Sequence, residues 1–258
     1  MDRNEIAELV SACQTGGDDE RQVALQKLHA VDLSEMMEAL NGLVGSPRSL
    51  DRILAADIAA QSRLQPEYCR ALLKGLLNDP DAAVVGAAAT GFMHCEDASA
   101  LPRLIELARA ASSTIREGVA PALAMNYRSD SVLQALVSLQ NDPSNDVRQW
   151  VAIGLGLAFT SGYADTSRTL LQLCADTDEE VRGEAMLALS EAGCADVLPY
   201  VVNELLQSSN LSWALDAARQ LADARLCAAL EGIREKVRMN AAWETVYEAA
   251  LDACCRER

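Results

Sequence analysis

Residues suited to catalysis are few in this sequence. General acid–base catalysis and metal binding most often use histidine, because its ring titrates near neutral pH and its nitrogens bind metal ions. The 258 residues include two histidines, His29 and His94. Each stands at the predicted C-terminal end of a helix, where a positive charge interacts favourably with the helix dipole. Neither has a metal-binding residue four positions on. The sequence therefore predicts no catalytic residue and no histidine metal site.

Two further patterns resemble ligand loops but lack the residues that such loops need. Gly154-Leu155-Gly156 lies inside a predicted helix with no strand before it, so it does not form a phosphate loop. The acids of 176–180 are followed by Val181 where a calcium loop has glycine, and Leu187 stands in place of the bidentate acid. We interpret these acids as helix N-terminal residues. We predict no metal and no cofactor.

The eight cysteines are the remaining candidates for chemistry. They are scattered without a C-x-x-C pair, which does not favour a metal site. Within Ala- and Leu-rich segments a cysteine usually acts as a small buried hydrophobic residue, so we predict eight free thiols. Cys254 and Cys255 are adjacent, and their reactivity is left open. The positions are 13, 69, 95, 174, 194, 227, 254 and 255.

Composition restricts the classes of partner. Half of the residues are hydrophobic, while 38 acidic and 22 basic residues give a formal net charge of −16. A charge of this sign repels nucleic acid and anionic lipid surfaces, so neither is expected as a partner. The first residues lack the basic and apolar regions of a signal peptide, and no segment has the apolar length of a membrane span. We expect a cytoplasmic protein.

An internal repeat determines the predicted fold. A polar turn followed by an apolar residue, often with arginine next, recurs at Val84, Ile115, Val147 and Val181, in steps of 31, 32 and 34 residues. Extrapolation gives about eight units, each long enough for two short helices. One unit cannot enclose its own apolar stripe, so neighbouring units must stack. The pattern predicts an all-α solenoid of helical hairpins.

The repeats differ in clarity along the chain. Residues 78–192 carry the clearest copies, whereas 1–77 and 193–258 are divergent or capping repeats. We predict a single repeat domain over 1–258. The capping-box spacing of Asp32-Leu33-Ser34-Glu35 indicates the start of one of the first helices.

The motif Asp-Pro-x-x-x-Val-Arg, seen at 142–148, resembles the HEAT repeat, particularly the HEAT-like repeats of phycobilin lyase subunits. This resemblance implies a right-handed solenoid with first helices on the convex side and second helices on the concave side. It also implies a ladder of hydrogen bonds between units, formed by turn aspartates and the arginines that follow valine. The corresponding residues here are Asp142, Asp176, Arg116, Arg148 and Arg182, and Val85 and Ser212 interrupt the series.

Enzymes that resemble HEAT-repeat proteins have features that this chain lacks. The HEAT-like deoxyhypusine hydroxylases bind iron through His-Glu pairs, which are absent from the sequence. HEAT-like DNA glycosylases use concave aromatics and an acid, as Trp150 and Glu184 suggest, but they need a cationic groove. The net charge of −16 argues against such a groove. We therefore predict a protein that is not an enzyme.

The second helix of the fifth unit has a face that is turned away from the core and is nevertheless unusually apolar. Val147, Val151 and Leu155 form the buried stripe, so helical geometry places Gln149, Trp150, Ile153 and Leu157 on the opposite face. A tryptophan beside carboxylates is a suitable anchor for a partner's Arg or Lys. The alternative is that Trp150 only packs between repeats.

We expect the partner-binding surface around Trp150 to continue on other units. Its predicted members there are Glu117, Glu184, Trp213 and Tyr127. Acidic residues also recur in the turns inside the units and predict an acidic edge, with its members at 18–20, 79 and 81, 142 and 146, and 176–180. This edge either stabilises helix N-termini or steers a basic partner toward the molecule.

These features favour a non-catalytic scaffold that binds one protein partner on its concave face and acidic edge. The partner is expected to be basic. An inhibitor or immunity protein that blocks a basic toxin, for instance a nuclease, is a narrower form of this hypothesis. The alternative, implied by the resemblance, is a phycobilin-lyase-like subunit that handles a bilin. The identity of the partner and the oligomeric state are left open.

Overall fold

A computed structural model describes residues 2–31, 33–61, 66–238 and 240–255. Within these ranges the chain is helical and contains no strand, which confirms the predicted all-α class. None of the described helices has the length and apolar character that crossing a membrane requires. The described helices are α1 (Arg3–Thr15), α2 (Asp18–His29), α3 (Leu33–Val44), α4 (Ser49–Gln61), α5 (Pro66–Leu76), α6 (Ala82–Gly91), α7 (Leu101–Leu107), α8 (Ser113–Met125), α9 (Asp130–Ser138), α10 (Asn145–Thr160), α11 (Ser167–Leu173), α12 (Glu179–Glu191), α13 (Leu198–Gln207), α14 (Ser212–Leu221), α15 (Cys227–Gly232), α16 (Arg234–Arg238) and α17 (Glu244–Cys255). Short 3-10 turns precede α13, α15 and α17.

The helices pair into eight hairpins, as the repeat predicts. Contacts divide the chain into two compact units, residues 1–126 and 127–258. The first unit holds the hairpins α1–α2, α3–α4, α5–α6 and α7–α8, and the second holds α9–α10, α11–α12, α13–α14 and α15–α17. The single domain over 1–258 stays a prediction.

Aspartates begin several helices by accepting hydrogen bonds from free backbone N–H groups. Asp2 forms a capping box with Glu5, and Asp178 accepts from the N–H groups of Glu180 and Val181. Asp81 caps α6 in the same way. The predicted capping box at 32–35 begins with Asp32, which lies outside the described residues.

The predicted apolar stripe is buried in the second unit. Val147, Val151 and Leu155 of α10 are fully buried, and so are the residues at equivalent positions of α12, namely Val181, Ala185 and Leu189. Leu211, the N-cap residue of α14, and Leu215 within that helix continue the pattern. This confirms the repeat register on which the face assignment of Trp150 depends.

Glycine allows two second helices to approach closely in the first unit. A side chain at Gly118 of α8 would overlap the backbone of Gly86 in α6, and one at Gly86 would meet the carbonyl oxygen of Thr114. Glycine costs a helix about 1 kcal/mol relative to alanine. Close backbone packing offsets this cost here.

Arginine ladders join neighbouring hairpins within each unit. In the second unit, Arg148 donates two hydrogen bonds to Asp176, at 2.7 and 2.8 Å, and a third to the backbone oxygen of Asp142. Arg182 makes a similar pair of bonds to Glu204, at 3.2 and 2.9 Å. In the first unit, a pair that we did not predict joins Arg52 to Asp79 at 2.7 and 2.9 Å, where each side chain is about one-tenth exposed.

Arg116, also predicted for the ladder, donates to the backbone oxygens of Ala110 and Ala111. The bond between Arg148 and Asp176 agrees with the predicted ladder, whereas Arg182 bonds to a glutamate carboxylate rather than to an aspartate. The carboxylate that accepts from Arg182 belongs to Glu204, which lies near the end of α13 rather than in the turn after that helix.

The prediction of eight free thiols is wrong for two cysteines. Cys227, at the start of α15, and Cys255, at the end of α17, form a disulfide with a Cα–Cα distance of 5.2 Å. The physical reason is that α17 packs against α15 in the final hairpin and brings together residues 28 positions apart. Cys254 points instead into the core, where its thiol donates to the backbone oxygen of Ala218.

Thiol counting should show this pairing. Denatured but unreduced protein should expose six reactive thiols, and reduced protein should expose eight. Cys255→Ser should give seven under both conditions. The matched control Cys254→Ser should give five, rising to seven on reduction. Eight thiols in the unreduced wild type would contradict the disulfide.

A partly buried acid in the first unit, Asp57, predicts a pH dependence of stability. Burial raises the pKa of Asp57 to about 6, while the positive charge of Arg21 lowers it. Because the folded state then holds the proton more tightly than the unfolded state, stability should fall as pH rises from about 4 to 6. Asp57→Asn should raise the free energy of unfolding by about 1–3 kcal/mol at pH 7 but have little effect at pH 4.

Thermal melts at the two pH values measure this effect. Asp19→Asn, which changes an exposed acid of the same unit, serves as the control. An Asp57→Asn protein no more stable than wild type at pH 7 would show that Asp57 does not carry a buried charge.

Candidate functional site

The predicted partner-binding residues fall on several elements. Gln149, Trp150 and Ile153 lie on α10 and are all partly exposed. Glu184, on α12, is also partly exposed. These four belong to the second unit. Glu117 lies on α8 of the first unit, so the described site is built without it.

Glu184 of α12 faces Gln149 of α10. The Gln149 amide lies beside the Glu184 carboxylate and favours its charged form. Burial nevertheless raises the pKa of Glu184, and the nearby charges of Glu180 and Glu191 raise it further. The amide therefore compensates only part of the cost of burying this carboxylate.

Beside this pair of residues, α10 and α12 enclose a groove of about 140 Å³. Its apolar lining includes Ile153, Leu157 and Leu187, and its carboxylates are Glu184 and Glu191. No Arg, Lys or His is among the described residues that line it. Glu191 was not among the predicted site residues, although it stands two helical turns after Glu184 on the same face of α12.

The arginines of α10 and α12 do not neutralise this groove. Arg148 is bonded to Asp176, and Arg182 is bonded to Glu204. Both arginines follow the first turn of their helices, while the groove lies further along. The groove therefore combines apolar walls with negative charge.

Trp213 has a packing role in the structure. A side chain at Gly183 of α12 would overlap the indole ring of Trp213, which extends from α14. The ring is only partly exposed. The tryptophan fills the space that glycine leaves, so it closes the contact between two second helices.

Tyr127 lies in a different aromatic cluster. Its ring meets Tyr163 edge-on at a centroid distance of 6.4 Å, and the Arg128 guanidinium lies 5.0 Å from the Tyr127 ring centroid. Tyr163 follows the C-terminal end of α10, whereas Trp150 lies in the second turn of that helix. Among the described residues, the ring contacts of Tyr127 are with Tyr163 and Arg128, and Tyr127 is not part of the groove lining.

Several acids of the predicted acidic edge are engaged within the protein. Asp79 and Asp176 bond to ladder arginines, and Asp178 caps α12. The turn acids that remain exposed in the second unit are Asp146, Glu179 and Glu180. The edge is therefore less strongly charged than its composition suggests.

Larger grooves exist, but their buried carboxylates already have donors. One of about 640 Å³ in the first unit contains Asp51, which accepts hydrogen bonds from Gln14 and Ser46. Another, of about 620 Å³ in the second unit, contains Glu204, which is paired with Arg182. The α10–α12 groove differs because Glu184 has only partial compensation.

The repeat architecture defines a class of protein, and comparison with known families agrees with it. The family described as HEAT repeats matches residues 69–156 and 133–223, which together cover more than half of the chain. The chain belongs to the HEAT-repeat family, which confirms the resemblance seen in the sequence. HEAT repeats are typical of protein-binding scaffolds.

Two of the similar curated proteins are named YibA. Protein YibA of Escherichia coli (strain K12) is 28% identical over 120 residues, which are 46% of this chain and 42% of that protein, and YibA of Escherichia coli O157:H7 gives the same values. The aligned region thus spans less than half the length of these curated relatives. The crystal structure of YibA from Escherichia coli has a TM-score of 0.72 at 21% identity, covering 97% of this chain and 92% of the other. This similarity supports the fold.

Proposed function

We propose that this HEAT-repeat chain is a non-catalytic scaffold that binds a protein partner through the second helices α10 and α12. The groove between them is the observation that carries the proposal. It joins apolar walls to a partly buried carboxylate that has a neutral amide beside it. Burying such a carboxylate is costly unless a cation or further donors approach it, and a partner can supply them.

The charge of this surface favours a basic partner. Glu184 and Glu191 line the groove, and Asp146, Glu179 and Glu180 are exposed near the start of the same two helices. Exposed acids speed the approach of a positively charged protein by electrostatic steering. An inhibitor or immunity protein that blocks a basic toxin is one specific form of this function.

The bilin alternative receives no support from the groove. A volume of about 140 Å³ is below the range of roughly 300–1,000 Å³ typical of small-molecule sites. A bilin also needs cations for its propionates, and the described lining of the groove supplies none. The groove suits one side chain of a protein better than a chromophore.

Affinity capture with matched charge variants tests the scaffold function. The wild type, Glu184→Arg and the control Glu231→Arg would each be immobilised and incubated with native cell extract. Glu231 is exposed on α15 and does not line the groove. We expect a basic protein to be retained by the wild type and control but lost with Glu184→Arg. Equal retention by all three, or capture of no basic protein, would contradict the proposal.

A further inference from the structure

The floor of the α10–α12 groove is made of small residues. A Cβ atom added to Gly156 would lie only 2.7 Å from the Cβ of Ala188, so the two helices are in close contact there. Ile153 and Leu157 lie to one side, on α10, and Leu187 lies on α12. The groove is therefore a narrow apolar slot between two packed helices.

The two carboxylates of this slot lie along one helix. Glu184 and Glu191 are seven residues apart on α12, which corresponds to about 10 Å along the helix axis. Glu184 is partly buried, whereas Glu191 is exposed. A long side chain lying in the slot would have apolar contacts along its stem and could place its head beside these acids.

We propose that the α10–α12 groove receives one arginine side chain of the partner. The methylene groups of the arginine pack against Ile153, Leu157 and Leu187, and its guanidinium group donates hydrogen bonds to Glu184. Glu191 contributes negative charge at the exposed rim of the groove. This inference rests on the proposed scaffold function and identifies the partner chemistry that its site recognises.

The physical chemistry favours arginine over lysine. A guanidinium group is hydrated more weakly than an ammonium group, so it enters a partly apolar slot at lower desolvation cost. Its planar fork can also donate two parallel hydrogen bonds to one carboxylate. Gln149 lies beside Glu184 but, as a neutral amide, leaves its charge uncompensated. The positive charge of arginine supplies what the amide lacks.

The test uses capped tripeptides and the full chain labelled in its Ile and Leu methyl groups. Ac-Ala-Arg-Ala-NH₂ is titrated while NMR follows the methyl groups of Ile153, Leu157 and Leu187. Saturable shifts at these methyl groups are expected, with weak affinity on the order of millimolar. Glu184→Gln should weaken binding about tenfold, because a charge-assisted hydrogen bond is lost. The control Glu231→Gln should leave binding unchanged.

Peptides with lysine or citrulline in place of arginine separate charge from shape. Citrulline has nearly the same shape without the charge, so it should bind at least about tenfold more weakly. Lysine keeps the charge without the planar fork and should also bind more weakly. Absence of saturable shifts, binding that Glu184→Gln does not weaken, or lysine binding as well as arginine would each overturn the inference.

The peptide and capture experiments can fail independently. If Glu184→Arg loses a captured basic protein but the arginine peptide does not bind the groove, the scaffold function stands and the arginine inference is wrong. If the peptide binds as expected but extract yields no basic protein dependent on Glu184, the scaffold function is contradicted. The arginine site would then be present without the proposed partner, and the inference about the partner would fall with the function.

Discussion

Val181→Asp should lower the free energy of unfolding by about 3–5 kcal/mol, because it places an uncompensated carboxylate in the core. Val181 is fully buried on the stripe of α12. The position is in the first turn of the helix, where an acid gains about 0.3–1 kcal/mol from the helix dipole. That gain is several times smaller than the cost of burial, and the N–H of Val181 already donates to Asp178.

Thermal melts followed by circular dichroism would measure this loss. A change of this size corresponds to a decrease in Tm of roughly 10 °C for a chain of about this length. Glu180→Asp is the matched control, since it changes the exposed neighbouring residue and keeps an acid there. An unchanged melting transition for Val181→Asp would show that this face of α12 is not buried, and the placement of Trp150 and Glu184 would then be wrong.

Most of the fold could be predicted because a solenoid depends on local, repeated sequence signals. The buried residues of α10 and α12 recur in the same order, and the capping aspartates mark where helices begin. Packing in such arrays occurs mainly between neighbouring repeats, so the apolar period reports directly on the core. The hairpins were predicted for this reason.

Contacts between particular side chains were harder to predict. Asp51 occupies the repeat position that a buried valine holds in other hairpins. Although it is an acid, it is only 6% exposed. It is accommodated by hydrogen bonds from Gln14 and Ser46. The hydrogen bond from Gln14 joins residues 37 positions apart, so periodicity gives no signal for it. The Cys227–Cys255 disulfide was missed for the same reason.

The candidate site was predicted only in part. Helical geometry correctly placed Gln149, Trp150 and Ile153 on a partly exposed face, and the structure places Gln149 beside Glu184. Helical geometry could not show that Trp213 fills the space over Gly183, because that contact depends on the separation of α12 and α14. The groove depends in the same way on the separation of another helix pair, α10 and α12. Trp150 therefore stays a predicted anchor, and a captured partner allows it to be tested.

Trp150→Ala should speed dissociation of a captured partner about 30-fold. A desolvated aromatic anchor typically contributes about 2 kcal/mol or more to binding, whereas a charge at the rim contributes about 0.5 kcal/mol. Trp150 is next to Gln149 on α10 and is partly exposed, so its truncation should remove contact area without opening the core. Surface kinetics at two ionic strengths would measure both association and dissociation.

The comparison variant combines Asp146→Asn with Glu179→Gln, which neutralises two exposed acids and leaves the cap of α12 at Asp178 intact. Solvated charges act over a distance and are screened by salt, so this variant should slow association and reduce its salt dependence while barely changing dissociation. The two variants thus separate an anchor from a steering charge. A folded Trp150→Ala protein with an unchanged dissociation rate would show that Trp150 is not an anchor, and its partial burial on α10 would then reflect packing between repeats alone.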